Sequence, residues 1–513
     1  MTEWIRKYRL PLALAVCKFI LPFLLQNGDY ELHRDEYLYL AEAGHLSWGF
    51  MEVPPLLSFL AWISSIFGNG FFWVKFWPAL FGALTVWTTC SIVRELGGDK
   101  FAQFLAGFCI ICGVYLRIHF LFQPNFLEIY WWTLLAYLLV KYANTTSPKY
   151  LYWIGAVIGL SFLSKYSVLL FAAGIFAALL LTRLRSVFAS RHIYIAAGIA
   201  LLIMLPNIIW QYTHAWPVLY HMKELRQTQL VNVSSIEFLR DQFLMHLPSF
   251  FVWVAGLYFL FFDNRGKKYR FLAWIYLTVI ILLLVTSGKS YYALGAYPML
   301  FAAGSVAIEK WWVSRLTWMR YAIPAVVLAI FVFLIPILLP VWAPAKLAAY
   351  YQKLGGPVES SLVWEDMETH PLPQDFADML GWKELTAGVE KTYAAIPDSL
   401  KSKTIVFCWN YGQAGALQYY GKGKLPVHTA NASFLFWMPE KYQLRNMILV
   451  SEAGGEANNA LTKHFYKVTL IDSVANSFAR EAGTRITLLE GADPMLNSML
   501  EMKIREQKDE FRR

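Results

Sequence analysis

Eleven mostly apolar stretches, near 10–26, 72–93, 101–118, 124–142, 151–164, 167–182, 192–211, 247–262, 271–287, 291–308 and 321–341, fill about the first two thirds of the chain. A helix needs roughly 20 such residues to cross the hydrocarbon of a bilayer. In that medium a single segment satisfies its backbone polar groups only as a helix. The sequence therefore predicts a polytopic α-helical membrane protein with about 11 spanning helices, and up to 13. Composition agrees: 57 % of residues are hydrophobic, 16 % charged and 17 % aromatic, with 21 Trp. Such aromatic content suits interfacial belts at headgroup depth. A shorter run at 55–67, closed by Gly68-Asn69-Gly70, reads as an interfacial helix. The 151–182 region is split by Ser164-Lys165-Tyr166. The first span carries Lys18 and lacks a small-residue cleavage site, so it reads as a retained helix rather than a signal peptide.

The net charge of +10 does not mark a nucleic-acid binder, because the basic residues are scattered through short loops rather than gathered on one face. They instead set orientation. One set of loops holds Arg94, Lys100, Lys141, Lys149, Arg183, Arg185, Arg191, Arg265, Lys267, Lys268 and Arg270, and the alternate loops hold far fewer. The positive-inside rule places the first set and the N-terminus in the cytoplasm, and everything after the last span outside. Of the five cysteines, only Cys408 lies beyond the spans, so neither a disulfide framework nor a thiolate metal site is implied.

From about 342 the composition becomes that of a soluble domain. Thr404–Trp409, Asn446–Ser451 and Tyr466–Ile471 read as strands, and Asn410–Gly421 as a turn entering a helix. The expected organisation is a transmembrane unit, 1–341, with a first outer loop at 27–71, and an extracytoplasmic α/β domain, 342–513.

The chemistry-bearing residues gather on the outer side of this topology. Asp35 and Glu36 follow the first span, Glu52 precedes Pro54-Pro55, and Asn125 and Glu128 begin the fourth span. Arg117, Lys165 and Lys289 supply cations, the last in Ser287-Gly288-Lys289-Ser290-Tyr291-Tyr292. Carboxylates are costly near hydrocarbon unless they are used or paired. Each cation alone reads equally as a snorkelling interfacial side chain. Together, bases and cations over a membrane groove suit a lipid phosphate attacked by a nucleophile that needs a proton acceptor.

The ordered motifs Asp35-Glu36-Tyr37, Glu52 with Pro54-Pro55, QPNFLEIYW, LSKYS, LPNIIW and SGKSYYALGAYP make the chain similar to the GT-C superfamily of membrane glycosyltransferases. The likeness is to the bacterial branch related to dolichyl-phosphate-mannose–protein mannosyltransferases and the aminoarabinose transferase of lipid A. NYGQAGALQYYG with Phe436-Trp437-Met438-Pro439 resembles the soluble tail of many bacterial members. The resemblance implies a polyprenyl-phosphate sugar donor, an extracytoplasmic acceptor (protein, lipid A or glycan) and inverting transfer in the cell membrane. It implies Asp35 as catalytic base, with Glu36 or Glu128 assisting. Glu52, Arg117, Asn125, Lys165, Lys289 and Tyr292 would bind substrate, Lys289 nearest the donor phosphate. Two departures stand out: the family aspartate early in the fourth span is replaced by Asn125 and then Glu128, and Val53 rather than lysine follows Glu52. No cofactor is required, and a divalent metal is compatible but not implied. A transporter or flippase of lipid-linked sugars would also carry intramembrane charges, but should show repeat symmetry or paired broken helices. A non-catalytic scaffold leaves the first-loop carboxylates without a use.

Overall fold

A computed structural model describes residues 2–228, 231, 233–452 and 461–512. Helices occupy every stretch the hydropathy marks: α1 (Thr2–Leu25), α2 (Arg34–Glu42), α3 (Leu56–Ile66), α4 (Phe71–Glu95), α5 (Lys100–Ile111), α6 (Tyr115–Ile118), α7 (Pro124–Thr145), α8 (Lys149–Phe162), α9 (Val168–Leu181), α10 (Arg191–Thr213), α11 (Pro217–Thr228), α12 (Ser235–Leu244), α13 (Phe250–Phe262), α14 (Arg270–Val285), α15 (Tyr297–Ile308) and α16 (Met319–Leu338). Among the described residues six helical stretches are long and apolar enough to cross a membrane, or seven if the pair bent by 103° after α9 is one span. The chain is a multi-pass membrane protein. The other expected spans are shorter or more polar helices, and α3 is the short apolar helix anticipated at 55–67.

The expected span 101–118 is not one helix. α5 ends at Cys112 after 12 residues, about 18 Å of rise, and α6 is a separate turn. A break at membrane depth persists only where protein satisfies the freed backbone. Here the wholly buried Lys18 amine donates to the Tyr115 carbonyl at 2.9 Å, which supplies a partner for the mid-span lysine. α8 and α9 likewise separate around Ser164–Tyr166, as the polar interruption suggests.

Beyond α16 come the short helices α17 (Pro344–Leu354), α18 (Gly356–Glu359), α19 (Gln374–Ala377), α20 (Trp382–Ala394) and α21 (Asp398–Lys401), then a five-stranded sheet. Its strands are β1 (Thr404–Cys408), β2 (Val427–His428), β3 (Asn446–Ser451), β4 (Phe465–Ser473) and β5 (Arg485–Ala492), in the order β2-β1-β3-β5-β4. β1 pairs in parallel with β2 and β3, whereas β5 runs antiparallel to both β3 and β4. α22 (Tyr411–Tyr420), α23 (Phe434–Trp437) and α24 (Pro494–Asp509) complete the segment.

Alternation along the strands divides the sheet into two faces. Ile405, Met447, Leu449 and Leu489 pack under Leu496 and Ile504 of α24. Val406, Cys408, Ile448 and Val450 face α20 and α22, in one core with Tyr37, Leu38 and Leu40 of α2. The first loop and the late segment thus share a hydrophobic core, and this positions the site.

Candidate functional site

The site is organised by the N-terminus of α2. His33 caps it: its Nδ1 accepts the Asp35 amide at 3.2 Å, while the Glu36 carboxylate accepts the His33 amide at 2.7 Å. This is a reciprocal capping box, with two acidic residues in the first turn where the helix dipole favours negative charge.

Neighbouring positions on a helix point about 100° apart, and the two acids meet different surroundings. Glu36 is fully buried, accepts Lys75 Nζ at 2.5 and 2.7 Å, and takes the Phe122 amide at 2.6 Å. Lys75 also lies 4.2 Å from the Phe120 ring centroid. These bonds occupy Glu36 in tying α2 to α4 and to the turn before α7. Asp35, by contrast, keeps 30 % of its side chain exposed. It accepts the Tyr411 hydroxyl at 2.7 Å and Gln123 Nε2 at 2.9 Å, both neutral donors.

Tyr411 is brought there by close packing of α22 on α2. Asn410 and Gln413 form a second capping box that starts α22. A Cβ on Gly415 would lie 2.8 Å from the Tyr37 backbone, and one on Gly412 2.5 Å from Arg34 Cγ. The Arg34 guanidinium in turn sits 4.5 Å over the Tyr411 ring.

A second group stands at the start of α7. Lys165 Nζ donates at 2.7 Å to both Asn125 Oδ1 and Glu128 Oε2, and Ser167 Oγ donates to the other Glu128 oxygen. The same ammonium lies 4.4 Å from the Tyr292 centroid and 6.0 Å from that of Tyr291. Lys165, Asn125, Glu128 and Tyr292 are therefore one cluster, as their common membrane side suggested. Arg117 forms an ion pair with Asp375, just before Phe376, over whose ring it lies at 5.3 Å. Burial pushes the Asp375 carboxyl up, but Arg117, His33 and Lys289 outweigh it and hold it below the ordinary range. Lys289 is thus among the charges acting on the Asp375 carboxylate.

Glu52 lies elsewhere. It accepts the Ser433 amide at 2.8 Å and the Ser433 hydroxyl at 2.6 Å, beside the buried Glu42 at the far end of α2. That end is about 10 Å along the helix from Asp35, so Glu52 is held at the opposite end of α2 from the Asp35 group. Pro55, after Glu52, stands at the N-cap of α3.

Among the described residues, two clusters have ligand atoms close enough to hold a cation: His33–Asp375–Asp378 and the more exposed Asp366–Glu368–His370. In the first, His33 Nδ1 is already an acceptor, so a neutral ring carries its proton on Nε2, 3.5 Å from Asp378 Oδ2. A metal at Nε2 would have to displace that proton from a ring whose other nitrogen is already used. In the second, His370 Nε2 and Asp366 already bond each other at 2.9 Å.

The comparisons with known proteins agree with this architecture. The family described as dolichyl-phosphate-mannose-protein mannosyltransferase matches residues 52–210. A lipid A galacturonosyltransferase from Rhizobium johnstonii is 24 % identical over 301 residues, covering 55 % of this chain. The chain spans 61 % of the length of that curated relative. The solved structure of ArnT from Cupriavidus metallidurans bound to undecaprenyl phosphate superposes with a TM-score of 0.62 at 14 % identity, covering 95 % of this chain and 98 % of that one. At that identity the likeness is one of fold, and the family match itself covers residues 52–210. The Archaeoglobus fulgidus oligosaccharyltransferase, solved with Zn and sulfate, shares the GT-C fold at a TM-score of 0.52 and 14 % identity, over 86 % of this chain and 68 % of its own.

Several site residues escape a reading of the sequence. Lys75, Gln123, Asp375 and Tyr411 all touch the site, yet Tyr411 is 376 positions from Asp35 and Asp375 258 from Arg117. The only local signal was Asn410–Gln413, which marks a helix start but not what that helix packs against.

Proposed function

We propose that this protein is a GT-C-type transferase that moves a sugar from a polyprenyl-phosphate donor to an acceptor outside the cytoplasm, with inversion, using Asp35 as general base. The observation that carries this is the contrast within the acidic pair: Glu36 is consumed by a buried ion pair, whereas Asp35 is partly open and held by neutral donors. The acceptor nucleophile attacks the anomeric carbon opposite the phosphate, the bond from that carbon to the phosphate oxygen breaks, and the acceptor proton passes to Asp35. Negative charge grows on the leaving phosphate, where Lys289, Arg117 and Lys165 stabilise the transition state more than the ground state. Glu128 orients Lys165 through its carboxylate. The reaction as written gives a divalent ion no step.

Support comes from relatives whose names describe lipid A galacturonosyl transfer and an undecaprenyl-phosphate complex, and from an archaeal oligosaccharyltransferase solved with dolichol-phosphate. In this reading the protein lies in the cell membrane with its N-terminus cytoplasmic, and α2 and residues 342–513 face outward. Asp35→Asn keeps the shape but removes the base, so transfer in reconstituted protein should fall by about 10²–10⁴-fold with donor affinity retained. A variant that keeps full activity would remove Asp35 from the chemistry.

A further inference from the structure

The first loop, one spanning helix and the late soluble segment meet around a cleft of about 300 Å³ that the transfer step leaves unused. Trp210 and His214 at the end of α10 form one wall, stacked at 4.2 Å. Phe436 and Trp437 form another; Phe436 meets Trp210 edge-on at 6.2 Å, and Trp437 stacks on His45 at 4.1 Å. Phe511 closes the end, edge-on to Phe436 at 5.5 Å.

These rings are held in place. A Cβ on Gly49 would fall 2.3 Å from Trp210 Cε3, so the loop backbone rests directly on the indole. One turn earlier, Asn207 Nδ2 donates to the Trp48 carbonyl at 2.6 Å. The charged lining is Lys508, Arg512 and Glu440: two cations and one anion. Lys508 is buried and donates to the Met438 carbonyl at 2.5 Å, whereas Arg512, 55 % exposed, pairs with Glu440 at 2.7 Å and with Asp509 at 3.3 Å.

A concave site of this size walled by aromatics and carrying a few charged groups is the usual form of a small-ligand cleft. Flat rings accept the C–H faces of sugar rings, and the Lys508 and Arg512 cations can donate to an anionic substituent. The cleft also opens at the end of a helix able to cross the membrane, beside the exposed Ile209 and Tyr212. An occupant anchored in the bilayer can reach it there. It lies toward the far end of α2, where Phe50 and Met51 adjoin Glu52 and Ser433, about 10 Å along the helix from Asp35.

We propose that this aromatic cleft binds the sugar-phosphate headgroup of a membrane-anchored glycolipid, which serves as the acceptor. A headgroup of more than one ring can rest in the cleft while presenting its nucleophile toward Asp35, so that remote binding energy orients the reacting atoms. The acceptor role rests on the transferase reading above; the binding itself does not.

The test uses the full chain in nanodiscs, with a soluble phosphorylated disaccharide, its unphosphorylated counterpart and phosphocholine as probes. Calorimetry should show binding of the phosphorylated disaccharide, weakened at least about tenfold by Trp437→Ala and less by Trp437→Phe. Arg512→Gln, at an exposed position, should erase the preference for the phosphorylated form. Affinity for a polyprenyl-phosphate analogue should stay the same in every variant, which also reports folding. Unchanged disaccharide binding in Trp437→Ala and Arg512→Gln would overturn the proposal, as would stronger binding of phosphocholine, which would mark an amine-binding cage. If wild type binds the disaccharide but transfers no sugar, the transferase reading falls and the cleft stands. If transfer depends on Asp35 while acceptor KM ignores the cleft variants, the acceptor role falls and the transferase reading stands.

Discussion

Asp35 and Glu36 are adjacent acids with different physical roles. Glu36 and Lys75 are both buried to the last few per cent, and each is the other's charge partner. Removing one side of such a pair leaves an uncompensated ion, which typically costs about 3–5 kcal/mol. Glu36→Gln should therefore lower the melting temperature of the detergent-solubilised chain sharply, and Glu36→Gln with Lys75→Met should recover much of the loss. Asp35→Asn, by contrast, should leave melting nearly unchanged while transfer collapses. A melt for Glu36→Gln that matches wild type would show that the pair does not hold α2. Sequence alone marks the acidic pair but cannot divide its roles, because the deciding lysine is 39 positions away and reads by itself as one more interfacial cation.

Legibility at the scale of elements followed the strength of local pattern. The apolar stretches, α3 and the helix after Asn410 were readable because periodicity and caps are short-range. The same holds for β1 and β3, which are continuous apolar runs. β5, Arg485–Ala492, was missed: it mixes charges with apolar residues, and its burial is only partial. β2 has two residues and exists through its pairing with β1. The break after α5 depends on Lys18 from another helix, which no window around residue 112 contains. The packing of α22 on α2 was equally invisible, although its glycines were in view. Gly415→Ala places a methyl 2.8 Å from the Tyr37 backbone, where no flexible side chain can yield. Overpacking of this kind costs about 1–3 kcal/mol. The variant should loosen the late segment, seen as faster proteolysis after α16 and reduced transfer with donor affinity kept. Proteolysis at the wild-type rate would mean the two helices separate without consequence.

For the whole molecule, the contact between the membrane unit and the late segment is also where titration should be felt. Glu42 and Glu52 lie together at the end of α2, with Ser58 donating to Glu42 at 2.5 Å and Ser433 donating twice to Glu52. Burial pushes both carboxyls up, and for Glu42 the charge of Glu52 adds to it. The folded pair therefore keeps a proton that the unfolded chain releases above the ordinary glutamate value near 4.5. Because the native state binds more protons, stability falls as pH rises from that value through the folded-state titration. Glu42→Gln supplies a permanently neutral partner that can still donate to Glu52. Its melting temperature should decline less than that of wild type between acidic and alkaline buffers, and should exceed wild type at the alkaline end. Since Ser433 belongs to the late segment and Ser58 to α3, the same pH step should expose the 433 region to protease in wild type before the spanning helices unfold. Parallel pH dependence in the two proteins would place the titration elsewhere and reduce the Glu42–Glu52 contact to packing.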